Sequence, residues 1–361
     1  MRTGHSISEM VTIANEMDEV KEDFIVNKDD MRFFVHDDTD ESLYVPKMEI
    51  MGDTYDMDDN FTNQLCNKLH LPVKYYDYLL EEDRFLLEEN VNELLKKRDG
   101  DHNLIRTMNG NARAFLSTSY KCMDHSEVLE VVLPALGQHL EIDHFKECYI
   151  SPNKMSVTAS IPLKTFEPNV GDICEFGIEI SNSEIGTNQF MIAPFLYRLV
   201  CTNGMRVRDR AFGMVGIRHK GIDLVSDDTS SRKYLKEEHV IQQGRDQWLV
   251  TVEDKVNGFF NGETIEYLGE VITKSAESAS VNDVDKALVR LGKEYGIGDK
   301  EQQEIGIHFN NDKDLTRWGL ANAVTRFAQD AKNADRTEEL EQIGWNLTKL
   351  NDTDWKRLYV N

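Results

Sequence analysis

Seven cationic side chains stand within RLVCTNGMRVRDRAFGMVGIRHK, residues 198–220: Arg198, Arg206, Arg208, Arg210, Arg218, His219 and Lys220, against the single acid Asp209. Such a density of fixed positive charge is the chemistry of phosphate contact, which needs donors and no proton transfer. Arg206, Arg208 and Arg210 alternate, so on a β-strand their guanidinium groups project from one face, whereas on a helix they would scatter around it. Asn203-Gly204 is a turn signal for a hairpin that carries these arginines on its second arm. Holding a nucleic acid strand without base reading also needs rings, each stacked base contributing about 1–3 kcal/mol. Phe195, Tyr197, Phe212 and Tyr120 offer rings, and Arg113 a further charge. The candidate nucleic-acid-binding set is therefore Arg113, Tyr120, Arg198, Arg206, Arg208, Arg210, Arg218 and Lys220. A blander reading of the same residues stays open: the arginines pair with acids across the sheet or between subunits, and Phe195 and Tyr197 are core.

Chemistry beyond binding finds no anchor. GxxxxGK[ST], HExxH and GxSxG are absent, and no GxGxxG follows a predicted strand. Ser117, Ser119 and Tyr120 near Arg113 imitate a nucleophile beside an anion binder, but no general base can be assigned by spacing. The ten histidines show no i, i+4 pair with a third ligand nearby, and the five cysteines form no CxxC. An odd number cannot all pair within one chain, so buried free thiols are expected. No catalytic residue, metal or cofactor is assigned, and a binding protein is favoured over an enzyme, with an unrecognised hydrolase as a third class.

Charge is unevenly distributed. The chain carries a formal −24, and residues 1–60 hold five Arg/Lys against seventeen Asp/Glu, half of that excess in a sixth of the length. Such a flank suggests an acidic surface that solubilises, or that engages a basic host protein as a decoy. No run of eighteen apolar residues and no signal peptide is visible, so a cytoplasmic protein with no membrane span is expected.

These residues must be positioned by elements that the periodicity predicts. Short apolar pieces at 24–26, 33–35 and 43–45 suggest strands or an irregular acidic arm over 1–56. Three- and four-residue apolar steps from Met57 to Arg98 predict two or three helices, one starting at Pro72. Asn109-Gly110 between LIRTM and ARAFL predicts a type I′ hairpin. A helix over 126–140 with Asp124 or Ser126 as cap is followed by four to six strands, and from Thr229 helices dominate. The expected architecture is α+β: a helical N-terminal part, a central antiparallel sheet with hairpins, and a helical C-terminal part. The expected regions are 1–56, an α+β core over 57–228, and a mainly helical 229–361.

Several strings, in order, resemble successive blocks of the phage- and plasmid-encoded family called domain of unknown function 932. They are KLHLPVKYYDYLL, ENVNELL, ARAFLSTSYKCMDHSEVLEVVLPAL, EIGTNQFMIAPFLYRLVCTNGM and TRWGLANAVTRFAQDA, spanning roughly 57–330. The resemblance implies a mobile-element origin and a bacterial cytoplasm, and it brings no reaction with it. Phage single-strand annealing proteins are the nearest functional analogy, by architecture and genomic setting and without a matching motif. With that setting the expectation is a homo-oligomer that binds single-stranded nucleic acid through the Arg198–Lys220 hairpin and promotes annealing in recombination. The alternative is an acidic decoy for a host protein.

Overall fold

The computed structural model describes residues 4–38, 43–98, 100–199, 203–208, 214–217, 219, 232–233, 245–260, 263–331 and 333–359. It is a mixed α+β protein built on two sheets. The chain opens with α1 (Ile7–Glu19), whose Ser6 and Glu9 form a reciprocal capping box. There follow β1 (Lys21–Asn27), β2 (Met31–Asp38), β3 (Leu43–Ile50) and β4 (Asp53–Met57), then α2 (Asp59–Lys68), α3 (Val73–Glu82) and α4 (Arg84–Lys97). Next come β5 (His102–Met108), β6 (Asn111–Leu116) and α5 (His125–Gly137). Strands β7 (Phe145–Ile150), β8 (Lys154–Phe166), β9 (Cys174–Ser183), β10 (Phe190–Arg198), β11 (Asn203–Arg206), β12 (Val215–Ile217) and β13 (Arg232–Lys233) complete the β part. The helices α6 (Arg245–Phe260), α7 (Glu263–Ala276), α8 (Val284–Tyr295), α9 (Asp299–Asp312), α10 (Arg317–Phe327), α11 (Ala334–Thr348) and α12 (Asp352–Tyr359) close the chain.

The first sheet runs β13-β1-β5-β6-β4-β3-β2. Strands β1–β4 are thus woven into one sheet with β5 and β6, β1 joining β5 through seven register pairs from Lys21↔Met108 to Asn27↔His102. Alternation places Phe33, Met48, Ile105 and Phe115 on the face covered by Phe61, Leu65, Tyr76, Leu79, Leu87 and Val91 of α2–α4. The predicted Asn109-Gly110 turn is present, with φ of 50° and 77°. Met51-Gly52 makes a comparable turn between β3 and β4 at φ 55° and 94°, which no sequence signal announced because Met is a poor αL residue. At the outer strand β2, Phe33 N–H donates to Asn92 Oδ1 at 2.9 Å, Asn92 Nδ2 donates to Phe33 O at 2.8 Å, and Val35 N–H donates to Glu88 Oε1 at 2.8 Å. Helix α4 thereby occupies backbone groups that would otherwise template pairing with another chain.

The second sheet is an antiparallel meander, β7-β8-β9-β10-β11, with β12 also on β10. Its core-facing Val157, Ile178, Ile180, Phe190, Ile192 and Met205 pack with Trp318, Val324, Leu340 and Trp345 of the C-terminal helices. Gly177 is needed in β9, since a Cβ there would collide with the Ala159 carbonyl oxygen of β8. Pro194 is tolerated inside β10 because it lies between the stretch paired with β12 (190–192) and that paired with β11 (195–198), where no ladder donor is required.

The hairpin of β10 and β11 differs from its expected form. Arg198 pairs with Asn203 and Tyr197 with Gly204, so Asn203-Gly204 lies inside the second strand and the connection precedes it. The ring of Phe195 occupies the space where a Gly204 side chain would be. Close packing against that ring, rather than positive φ, is what this glycine serves.

Candidate functional site

The cations singled out by the sequence lead to carboxylates. Arg206, on β11, is fully buried. Its Nη1 donates to Glu179 of β9 and, at 3.2 Å, to Ser156 Oγ of β8, and its Nε donates to Glu341 of α11 at 2.5 Å. Arg208 Nη2 reaches Glu179 at 2.6 Å and Glu338 of α11 at 2.9 Å. Lys154 of β8 joins Glu338 at 2.5 Å. Three cations, Lys154, Arg206 and Arg208, thus meet three buried carboxylates, Glu179, Glu338 and Glu341, between the sheet and the helix above it, and Lys154 also reaches the exposed Asp335 at 3.3 Å. Burial by itself would raise the Glu338 carboxyl, but Arg206, Arg208 and Lys154 outweigh it and hold it at about 2. Arg206 and Arg208 do share a side, as alternation requires, and that side is roofed by α11.

Arg113 and Tyr120 belong to a second buried network where the two sheets meet. Arg113 Nη1 donates to Glu184 Oε2 and to Pro152 O, both at 2.8 Å. Lys21 Nζ holds the other Glu184 oxygen at 2.6 Å, and that oxygen also accepts from the His125 backbone N–H at 2.8 Å. Arg106, fully buried, spans Asp124 at 2.7 Å, Asp23 at 2.9 Å and the Glu184 carbonyl at 2.9 Å. Burial alone would raise the Glu184 carboxyl, and the adjoining His125, Lys21 and Arg113 bring it to about 2. His125 is entirely buried, which pushes its imidazole down to about 4, and Asn182 Nδ2 approaches its Nδ1 at 3.3 Å. Tyr120 is buried, stacks on the His219 ring at 5.1 Å and 7°, and donates its hydroxyl to Ser183 O at 3.4 Å. Burial likewise drives His219 down to about 4.

Arg198 is also committed: Nε contacts Asp172 at 2.5 Å, and Asp172 accepts Trp318 Nε1–H at 2.7 Å. Arg113, Tyr120, Arg198, Arg206 and Arg208, expected as nucleic-acid contacts, are therefore buried or largely buried rather than set on an open surface. Each is drawn into the protein by its own acids or by stacking, because a buried guanidinium without a carboxylate would bear the full desolvation cost. Arg210, Arg218 and Lys220 lie outside the described residues. Phe195 is core, and Tyr197 is half-buried in β10. Ser117 and Ser119, which only imitate a nucleophile in the sequence, hydrogen-bond each other at 3.0 Å. Cys66, Cys122, Cys148 and Cys174 are buried free thiols; burial pushes Cys66 up to about 11 and Cys148 to about 12. Neither cysteine is poised as a nucleophile at neutral pH.

Sequence reasoning missed the acids that complete these networks. Glu179 and Glu184 sit within CEFGIEISNSEIG, a run otherwise read as an apolar strand, and an acid in such a run is a signal that a buried cation must lie nearby. Arg106, inside LIRTM, carried the same signal.

What the protein does present outward is a ridge on α3 and α4. Phe85 is 87% exposed and Tyr78 58%, with Tyr75, Leu86 and Tyr44 also exposed. The Arg84 guanidinium carbon lies 3.6 Å over the Tyr44 ring, tying β3 to the start of α4. Between Val73 and Glu93 stand seven acids against Lys74 and Arg84. Asp83 is shared, capping α4 by accepting the Leu86 N–H at 3.1 Å while ending α3. The corner that carries Phe85 is therefore fixed locally. Large rings in a charged rim are the composition of a protein-binding hot spot.

No helix among the described residues is long and apolar enough to cross a membrane, and no group of His, Cys, Asp and Glu among them could hold a metal ion. A family model described as "Domain of unknown function (DUF932)" matches residues 116–350. The match takes in all of the second sheet and most of the C-terminal helices, and it begins after the α3–α4 ridge. No curated protein and no solved structure matches the chain.

Proposed function

The chain belongs to the family described as domain of unknown function 932, and from that premise we propose that it is a binding protein whose acidic α3–α4 ridge docks a basic protein partner. The exposure of Phe85 carries this reading. A Phe left in water forgoes about 1.5–3 kcal/mol available on burial, and aromatic residues of this kind anchor interfaces. The surrounding acids select the partner's sign, since a second copy would bring seven more acids against these seven, at a repulsive cost that a basic surface converts to attraction. The ridge, rather than the acidic flank of residues 1–60, is then the acidic surface that engages a host factor.

The test is affinity capture from host lysate with the wild-type chain and with Phe85→Glu. Basic proteins retained by the first, released by moderate salt and absent with the second, support the reading. Identical captured sets overturn it, and conversion of an oligomer to monomer by Phe85→Glu would make the partner a second copy.

A second reading keeps single-strand binding and annealing. The density of cations in residues 198–220, Arg210, Arg218 and Lys220 among them, supports it. Fluorescence anisotropy with a labelled single strand tests it: binding at low salt that weakens steeply at moderate salt is expected. No binding at micromolar protein refutes it.

A further inference from the structure

In a chain of net charge −24, a cleft of about 790 Å³ is lined by four cations, Lys274 of α7, Arg317 of α10, Lys349 after α11 and Lys356 of α12. Two acids, Glu277 and Asp352, share its wall. Arg317 is 8% exposed. Its guanidinium donates to the carbonyls of Leu350 and, at 3.1 Å, Lys274, and its backbone N–H to Ser278 Oγ at 2.8 Å. Among the described residues its buried Nε has no hydrogen-bond partner. Carbonyl oxygens bring no net charge, and the facing Asp352 carboxylate, 3.4 Å away, is 81% exposed and screened by water. The Arg317 charge is thus held in place but poorly neutralised, and its field opens into the cleft.

The other cations reinforce that field. Lys349 and Lys356 are exposed, and the Lys349 ammonium lies 5.7 Å over the Trp345 ring. Lys274 pairs with Glu270 at 3.7 Å, where both are largely exposed, a contact of little strength beside a phosphate bearing about −1.5 to −2 charges. Tyr267, on the same wall, is 51% exposed. Its ring can take a planar group in a stack. The volume falls in the range of about 300–1,000 Å³ typical of small-molecule sites, well beyond what a bare phosphate fills.

We propose that this cleft binds a phosphate monoester joined to a planar ring, the chemistry of a nucleoside monophosphate, with the cations on the phosphate and Tyr267 on the base. The source is either a free mononucleotide or the 5′-phosphorylated end of a strand.

Isothermal titration of the full chain at low salt with AMP, adenosine and inorganic phosphate tests it. AMP is expected to bind at one saturable site, at least about tenfold tighter than either fragment. Lys349→Gln/Lys356→Gln, two changes at exposed positions, should weaken AMP about tenfold or more with an unchanged circular dichroism spectrum. Tyr267→Ala should weaken AMP by a similar factor and leave phosphate untouched. Absence of saturable AMP binding overturns the proposal, as does undiminished AMP binding by the double lysine variant or adenosine binding as tightly as AMP. A 5′-phosphorylated oligonucleotide that displaces AMP, with the same lysine dependence, makes the strand end the source; one that does not displace it leaves the free nucleotide.

Discussion

Arg206→Met separates a structural arginine from a phosphate-binding one. In the wild type, Lys154, Arg206 and Arg208 pair with the buried carboxylates Glu179, Glu338 and Glu341, and Lys154 also reaches the exposed Asp335 at 3.3 Å. Methionine removes one cation from a fully buried position with little change of volume. Glu179 keeps Arg208, at 2.6 Å, and Glu338 keeps Lys154, at 2.5 Å. Glu341 loses the 2.5 Å contact from Arg206 Nε while staying buried. The outcome is a broken buried ion pair, which costs about 3–5 kcal/mol. That is a large part of a usual domain stability of about 5–15 kcal/mol. Urea denaturation followed by tryptophan fluorescence reads the loss, with Trp318, Trp345 and Trp355 buried in the same core. Arg206→Met/Glu341→Leu should regain much of it, because the carboxylate that paired with the lost cation goes as well. If Arg206→Met loses less than about 1 kcal/mol while single-strand affinity collapses, the reasoning fails and Arg206 faces phosphate.

Other outcomes follow from the same geometry. His125 and His219 are each held at about 4, against 6.5 in the unfolded chain, so the unfolded state binds protons between those values and the folded state does not. Their contribution, about 3 kcal/mol per imidazole, is fully present above about pH 6.5 and is lost as pH falls toward 4; denaturation midpoints that stay flat from pH 7.5 to 4.5 would contradict it. Glu184 and Glu338, held at about 2, add a second loss on acidification from about pH 4.5 to 2, visible as steepening acid unfolding in a pH titration by circular dichroism. Asn92→Leu leaves the outward N–H and C=O of Phe33 on β2 without partners, at about 1–3 kcal/mol, and size-exclusion chromatography should reveal association through the freed edge; a monomeric, equally stable variant would refute the capping role.

Local signals were enough for much of this protein. Asn109-Gly110 needs positive φ wherever it occurs, so its hairpin was legible without any partner, as were the capped helix after Asp124 and the α2–α4 helices with their apolar steps. The family resemblance was equally legible, though the match covers 116–350 and leaves α2–α4 outside it. Alternation also put Arg206 and Arg208 on one side. What alternation cannot say is what lies opposite that side, and here it is α11, more than a hundred residues later in the chain, bringing Glu338 and Glu341. Whether a guanidinium meets solvent, phosphate or carboxylate is a property of long-range packing, because charge burial is decided by all the groups that converge on one volume. The same holds for Asn203-Gly204, whose turn signal yields to the register of β10 and to the Phe195 ring. Residue types and spacing determined the elements and the wealth of charge; the tertiary structure decided which charges neutralise one another inside and which, on α3–α4 and around the Arg317 cleft, stay exposed.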